Sequence, residues 1–360
     1  MQAGQAIHGK PLEKPPLISP PLPPPPPSSS SSSSSSHHHH HFSLPSNLPS
    51  SSTTFPPPPK IAYFISGTDD DGARFFRLLK AIYHPRNHYL LHLDGRSSKD
   101  QRDELARLVG SVPVFVDADN VNVIERANSV REERPSSLAL VLHGGAIMWR
   151  SRRDWAGLLI SVPRITLSFL RTAFSRWEKP SIHVATCADF LHVLWKEYQR
   201  ITEVIVDPGL YLVSKGRMFT GNKKRTLNAY RFFTGSPPLI LSRKLVEFAI
   251  LRWDNLLRKL LLFFSNIKYS QGDYFQTHAC NSKDFSKTVV NSNLRFTVYD
   301  DDPRDLSVTD LKKMLSSGAA FAGNFCANDP VLDKIDSLVL HRTAGMILPG
   351  GCCLGGRGRG

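Results

Sequence analysis

Apolar positions along the chain follow two periods. Ile61-Ala62-Tyr63-Phe64-Ile65 is a continuous apolar run bounded by Ser66-Gly67, which predicts a buried strand. Phe75, Phe76, Leu78, Leu79, Ile82 and Tyr83 then recur at three-to-four spacing, which predicts a helix. His84-Pro85 ends it, because the residue before a proline is pushed out of the α region. A second strand, Tyr89 to Leu93, finishes on Asp94-Gly95, so the stretch from Lys60 to Gly95 reads as one strand–helix–strand unit. Lys99 to Val109 reads as a surface helix with Leu105 and Leu108 as its apolar positions. Val114-Phe115-Val116 and Val121 to Ile124 read as short strands around Asp117-Ala118-Asp119. Ser136 to Met148 is helical in period, and Val204-Ile205-Val206 runs into the turn Asp207-Pro208-Gly209. Leu239 to Leu262 reads as largely helical, with Phe248 and Trp253 as core candidates, and Val308 to Leu315 as an amphipathic helix. Strands alternating with helices predict an α/β fold, a mainly parallel sheet with flanking helices.

The ends of the chain lack such periods. Residues 1–59 hold PPLPPPPP, a serine run, five consecutive histidines and FPPPP, a low-complexity composition that cannot bury a core and is expected to be disordered. Residues 346–360 include GGCCLGGRGRG and are expected to form a flexible tail. This leaves about residues 60–345 as the folded domain. No run of about 18 apolar residues is present, so no membrane-spanning helix is expected. The start also lacks a basic-then-apolar signal peptide.

The formal net charge of +14 raises nucleic acid as a partner. Much of the excess, however, lies in Arg150, Arg152, Arg153, Arg164, Arg171, Arg176 and Lys179, without a helix-turn-helix pattern. Nucleic acid is therefore not an expected partner. Cys187, Cys280, Cys326, Cys352 and Cys353 show no CxxC spacing, which argues against a zinc site. Neither GxGxxG nor GxxxxGK[ST] follows the first strand, which argues against dinucleotide or P-loop chemistry. An acid ending the second strand, Asp94, suits a ribose or base edge.

The runs YFISG, LLKAIYHPRNHYLLHLD, NVNVIERANSV, WKEYQRITEVIVDPGLY, YRFFTGSPPLILSRKLVEF, RWDN, DYFQTHACN and NDPVLDKID resemble the core-2/I-branching β-1,6-N-acetylglucosaminyltransferase family. More narrowly, they are similar to its plant β-glucuronosyltransferase branch. The resemblance covers most of Lys60 to about Thr343 and implies a Rossmann-like glycosyltransferase-A type fold. It also implies a metal-independent, inverting transfer from a UDP-sugar donor to a glycan or glycoprotein acceptor. The donor expected is UDP-glucuronate and the acceptor the galactan side chains of arabinogalactan-type glycoproteins. Transfer of N-acetylglucosamine and an inactive remnant are the alternatives. Family members are usually type II proteins of the Golgi membrane facing the lumen, although no such anchor is read in this chain. A lumenal setting would permit disulfides, with Cys280 a candidate.

Between Trp149 and Leu194 the resemblance stops. Family members carry FINLSASDYPL there, whereas this chain has GLLISVPRITLS at Gly157 to Ser168. One legal coding of Gly157 onward, read from its third base, translates as FINLSASDYPL. The segment from about Asp154 to Leu194 therefore reads as out of frame and is assigned no functional role. The aspartate of the family's SDY is absent with it.

Inverting sugar transfer needs a base for the acceptor hydroxyl and a means of holding the departing nucleoside diphosphate. The resemblance puts the base carboxylate at Asp273, in Ser270-Gln271-Gly272-Asp273-Tyr274-Phe275. Without the resemblance, the same residue reads as an exposed turn aspartate. Ser66, Gly67 and Asp94 are the donor-side candidates, and Arg304 matches the family's diphosphate arginine. The family's lysine lies in a FARKF-like segment that here reads Phe321-Ala322-Gly323-Asn324-Phe325, so that charge is missing. Thr234-Gly235-Ser236 matches a turn at the acceptor pocket, and Glu197 is a further acceptor-side candidate. Asp117-Ala118-Asp119 has DxD spelling, but it falls where the family needs no acids; no metal ligand is assigned.

Overall fold

The computed structural model describes residues 59–341 except 69–70, 126–128, 132, 153, 162–164, 168–182, 185–201, 212, 214, 221–226, 236–238, 252–254, 291–294, 301–303 and 327. The Pro/Ser/His-rich tract, the Gly-rich tail, Glu197, Ser236 and Trp253 thus lie outside the described residues, as does most of the segment read as out of frame.

The chain opens with β1 (Ile61–Gly67), α1 (Gly72–Ile82), β2 (His88–Leu93), α2 (Lys99–Gly110), α3 (Pro113–Ala118) and β3 (Val121–Val123). The long helix α4 (Pro135–Ser151) leads to β4 (Gly157–Ser161), β5 (Ile165–Leu167) and β6 (His183–Val184). Next come β7 (Glu203–Val206), β8 (Arg217–Thr220), β9 (Ile240–Ser242), α5 (Arg243–Leu251), α6 (Asn255–Phe264) and α7 (Ser270–Asn281). The end holds β10 (Val289–Val290), β11 (Arg295–Phe296), α8 (Leu311–Ser316), β12 (Phe321–Gly323) and α9 (Pro330–Lys334).

The main sheet has the order β10-β6-β9-β4-β1-β2-β3. β3, β2, β1 and β4 are mutually parallel, and β9 inserts antiparallel between β4 and β6. This is the expected α/β fold with a mainly parallel sheet. β1 and β2 read as apolar runs because both faces of a parallel sheet are covered. Their side chains alternate, so Ala62, Phe64 and Leu90 face α4, α6 and α7, whereas Tyr63, Ile65, Tyr89 and Leu91 face α1 and α2. Tyr63 and Tyr89 stack on the second side, 5.1 Å between ring centroids. On the first side α4 comes so near that a Cβ on Gly144 would lie 2.8 Å from the Phe64 ring. Two smaller sheets have the orders β11-β12-β5 and β7-β8.

Two expectations are corrected. Val114 to Val116 is helical, because Pro113 occupies the first helical turn and fixes its φ there. Ile240 to Ser242 is a buried strand rather than the start of a helix; its backbone pairs with β4 and β6. A short apolar run carries no period that separates a strand from a buried helix, which is why the sequence misled at both places. β4 is buried throughout and pairs Gly157–Ser161 with Ile61–Ile65. Among the described residues no helix is long and apolar enough to cross a membrane.

Candidate functional site

The parallel strands reverse their direction of growth at β1: β2 and β3 extend the sheet to one side and β4 to the other. In sheets of this kind, ligands bind outside the carboxyl ends of the strands at that switch. Ser66 and Gly67 end β1 there, and Asp94 follows β2 immediately, its backbone N–H donating to the Gly67 carbonyl over 2.9 Å. The three donor-side candidates of the sequence thus share one edge.

The Asp94 side chain is buried and fully engaged. Its Oδ1 accepts from the Arg96 backbone N–H (2.8 Å) and Nε (3.1 Å), and its Oδ2 from Arg96 Nη2 (3.1 Å) and the Val130 N–H (3.0 Å). Burial works to raise its pKa, but the Arg96 and Val130 hydrogen bonds outweigh it and hold the carboxyl below the ordinary range. Asp94 therefore ties the strand end to the segment after β3. That segment reaches further, because the Glu133 carbonyl accepts from Tyr269 N–H (2.9 Å), just before α7. Val130 thus bonds to the sheet edge and Glu133 to the residue before α7.

A group the sequence did not single out stands beside them. His92 is 1% exposed, and its Nδ1 lies 2.9 Å from Ser66 Oγ. Its Nε2 is buried without a hydrogen-bond partner. Burial is the main cause that brings its pKa down to about 4, partly opposed by Asp94, so the ring is neutral at physiological pH. Strand alternation alone would have put His92 on the same face as Phe64, but nothing in the sequence marks it as a site residue. Arg96 was likewise missed; its position two residues after Asp94, in a tight turn, was the available signal.

Asp273 is not an exposed turn residue. It is 2% exposed, in the first turn of α7, where the helix dipole favours a negative charge. Ser270 to Ala279 is buried without interruption. Thr234, predicted on the acceptor side, meets it: the Thr234 hydroxyl donates to Asp273 Oδ1 over 2.5 Å. Gly235 lies so close to the same helix that a Cβ there would stand 2.1 Å from Gln276 Nε2.

Arg304, the candidate for the diphosphate, lies in the segment before α8. It faces Asp310 through two hydrogen bonds, Nη1–Oδ2 at 2.9 Å and Nη2–Oδ1 at 2.8 Å, with Asp300 3.5 Å away. Asn324, where the family's lysine would stand, gives its carbonyl to the Leu306 N–H (2.8 Å). Asp119, of the DxD spelling, ends α3 with φ 44° and pairs with Arg152 at 2.7 Å. Asp71 caps the turn after β1, accepting from Thr68 and Arg74. Among the described residues no three His, Cys, Asp or Glu side chains are grouped to hold a metal ion. Cys280 is disulfide-bonded, and Cys326 is a free thiol.

Residues 61–315 match the core-2/I-branching enzyme family. β-Glucuronosyltransferase GlcAT14A of Arabidopsis thaliana is 40% identical over 312 residues, spanning 83% of this chain and 68% of that relative. GlcAT14B and GlcAT14C of the same plant are 38% and 40% identical, covering 83% and 78% of this chain and 70% and 74% of theirs. Among solved structures, the bifunctional glycosyltransferase WbbM aligns over 79% of this chain and 50% of its own, at 13% identity and TM-score 0.40. Mouse xyloside xylosyltransferase 1 aligns over 75% of this chain and 99% of its own, at 10% identity and TM-score 0.34.

Proposed function

Because the chain belongs to the core-2/I-branching enzyme family and is a glycosyltransferase, we propose that it transfers glucuronic acid from UDP-glucuronate to galactan side chains of arabinogalactan-type glycoproteins. The named activity of relatives at about 40% identity supports the donor. The observation that carries the mechanism is Asp273, a buried carboxylate at a helix amino end beside the Thr234-Gly235 segment.

In this reading Asp273 takes the proton of the acceptor hydroxyl as its oxygen attacks the anomeric carbon from the face opposite the diphosphate. The bond from that carbon to the diphosphate breaks, its electron pair leaves with UDP, and the configuration inverts. The leaving charge falls to basic side chains rather than a metal, with Arg304 as the assigned contact. Ser66, Gly67 and Asp94 border the nucleotide, and the described part of the Thr234–Ser236 turn borders the acceptor. The same reading puts the chain on the lumenal side of the Golgi membrane, where a disulfide such as that of Cys280 persists.

A second reading, a remnant without turnover, is favoured by Asn324 in place of the family's lysine and by the missing SDY aspartate. Purified protein with UDP-glucuronate and a β-galactan acceptor separates the two. Transfer that Asp273→Asn lowers by roughly 10²- to 10⁴-fold supports the enzyme. Absence of both hydrolysis and a thermal shift with UDP supports the remnant. UDP-N-acetylglucosamine run in parallel tests the donor. Sequencing the transcript across Gly144 to Gln199 shows whether FINLSASDYPL is restored in the native reading frame.

A further inference from the structure

Asp273, Thr277 and Asn281 are each one helical turn apart and project from one side of α7. All three meet the segment Arg231 to Gly235. Asn281 Oδ1 accepts from the Arg231 N–H (3.0 Å), and Asn281 Nδ2 donates to the Arg231 carbonyl (2.6 Å). Thr277 Oγ1 accepts from the Phe233 N–H and donates to the Phe233 carbonyl, both at 3.1 Å. These two rungs satisfy the segment's backbone at alternate residues, as a neighbouring strand would. The third rung breaks the pattern. An ionised carboxylate has no proton to give, so Asp273 cannot repeat the donor-and-acceptor pair. It takes a side-chain hydroxyl instead, that of Thr234, in a short bond of 2.5 Å. Thr234 is 8% exposed, so water does not readily replace it.

We infer that Thr234 is a positioning residue for Asp273: its hydroxyl fixes the rotation of the carboxylate, while the two neighbouring rungs fix the segment that carries the hydroxyl. The inference rests on Asp273 being the base, and it assigns Thr234 a part other than the sugar contact expected from the sequence. A base held in one orientation loses rate when freed, even where substrates still bind.

The test uses the full chain, with kcat and KM measured for donor and acceptor. Thr234→Val keeps the shape and removes the hydroxyl; its kcat is expected to fall about 10- to 100-fold with both KM values within about twofold. Thr234→Ser, which keeps the hydroxyl, should recover most of that loss. In an Asp273→Asn background Thr234→Val should add little, because its target is gone. Unchanged kcat in Thr234→Val, a rise in acceptor KM alone, or losses that add in the double variant would each overturn the inference. Full activity in Asp273→Asn would overturn the base reading itself. Should Thr234→Val not fold, Thr234→Ala against Thr234→Ser makes the same comparison.

Discussion

Ser66 Oγ and His92 Nδ1 meet at 2.9 Å across neighbouring parallel strands, at positions paired in register. Burial leaves the His92 ring with a pKa of about 4, against 6.5 when free. As pH falls below 6.5, the unfolded chain binds a proton that the folded chain refuses. Stability is therefore full above that pH and is lost between about 6.5 and about 4, by on the order of 3 kcal/mol. Thermal melts across this range should show the slope, and His92→Gln, which cannot titrate, should flatten it.

A second acid-sensitive contact lies near the carboxyl end. Arg304 is the main cause that holds Asp310 down to about 2, against 3.8 when free. For a depressed carboxylate the sign is that stability is present above pH 3.8 and is lost as pH falls towards 2. Asp310→Asn should remove this step and lower the melting temperature at neutral pH by a few degrees, because it also weakens the cap on the Ser307 N–H. If Arg304 contacts the leaving diphosphate, the same variant should also alter the affinity for UDP.

At Gly144 the helix α4 comes close to Phe64 of β1. A methyl group there would lie 2.8 Å from the Phe64 ring, which is fully buried and cannot swing aside. Gly144→Ala is expected to cost about 1–3 kcal/mol despite the better helix propensity of alanine. Denaturant unfolding measures it.

Asp94 holds Arg96 and Val130, and the Glu133 carbonyl accepts from Tyr269 just before α7. Asp94→Ala leaves the Val130 N–H and the Arg96 guanidinium without this partner, at about 1–3 kcal/mol of stability. If the sheet edge binds the donor, titration calorimetry with UDP should show affinity lowered about tenfold, the equivalent of one lost hydrogen bond.

The strand–helix–strand opening was legible because Phe64 and Phe75 belong to uninterrupted periodic runs. α7 was not, since SQGDYFQTHA is buried all round and has no apolar stripe to reveal a helix. That same burial hid the setting of Asp273, which taken alone resembled a turn aspartate after glycine. The link from Thr234 to Asp273 spans 39 residues, and local spacing carries no information about it. Asp94 was legible as a strand-end acid, whereas its bond to Val130 depends on a return of the chain that no motif announces.

β4 has a consequence for the making of the protein. Its partner β1 emerges early, and Gly157 pairs back to Ile61, but its other edge is covered only when Gly157 meets Ser242. At synthesis rates of about 5–20 residues per second, that edge stays open for several seconds on the ribosome. Through this interval the backbone of Gly157 to Leu159 offers a ready template to other nascent chains. Yield in a cell-free system should accordingly depend on chaperone supply during elongation, before any question of catalysis arises.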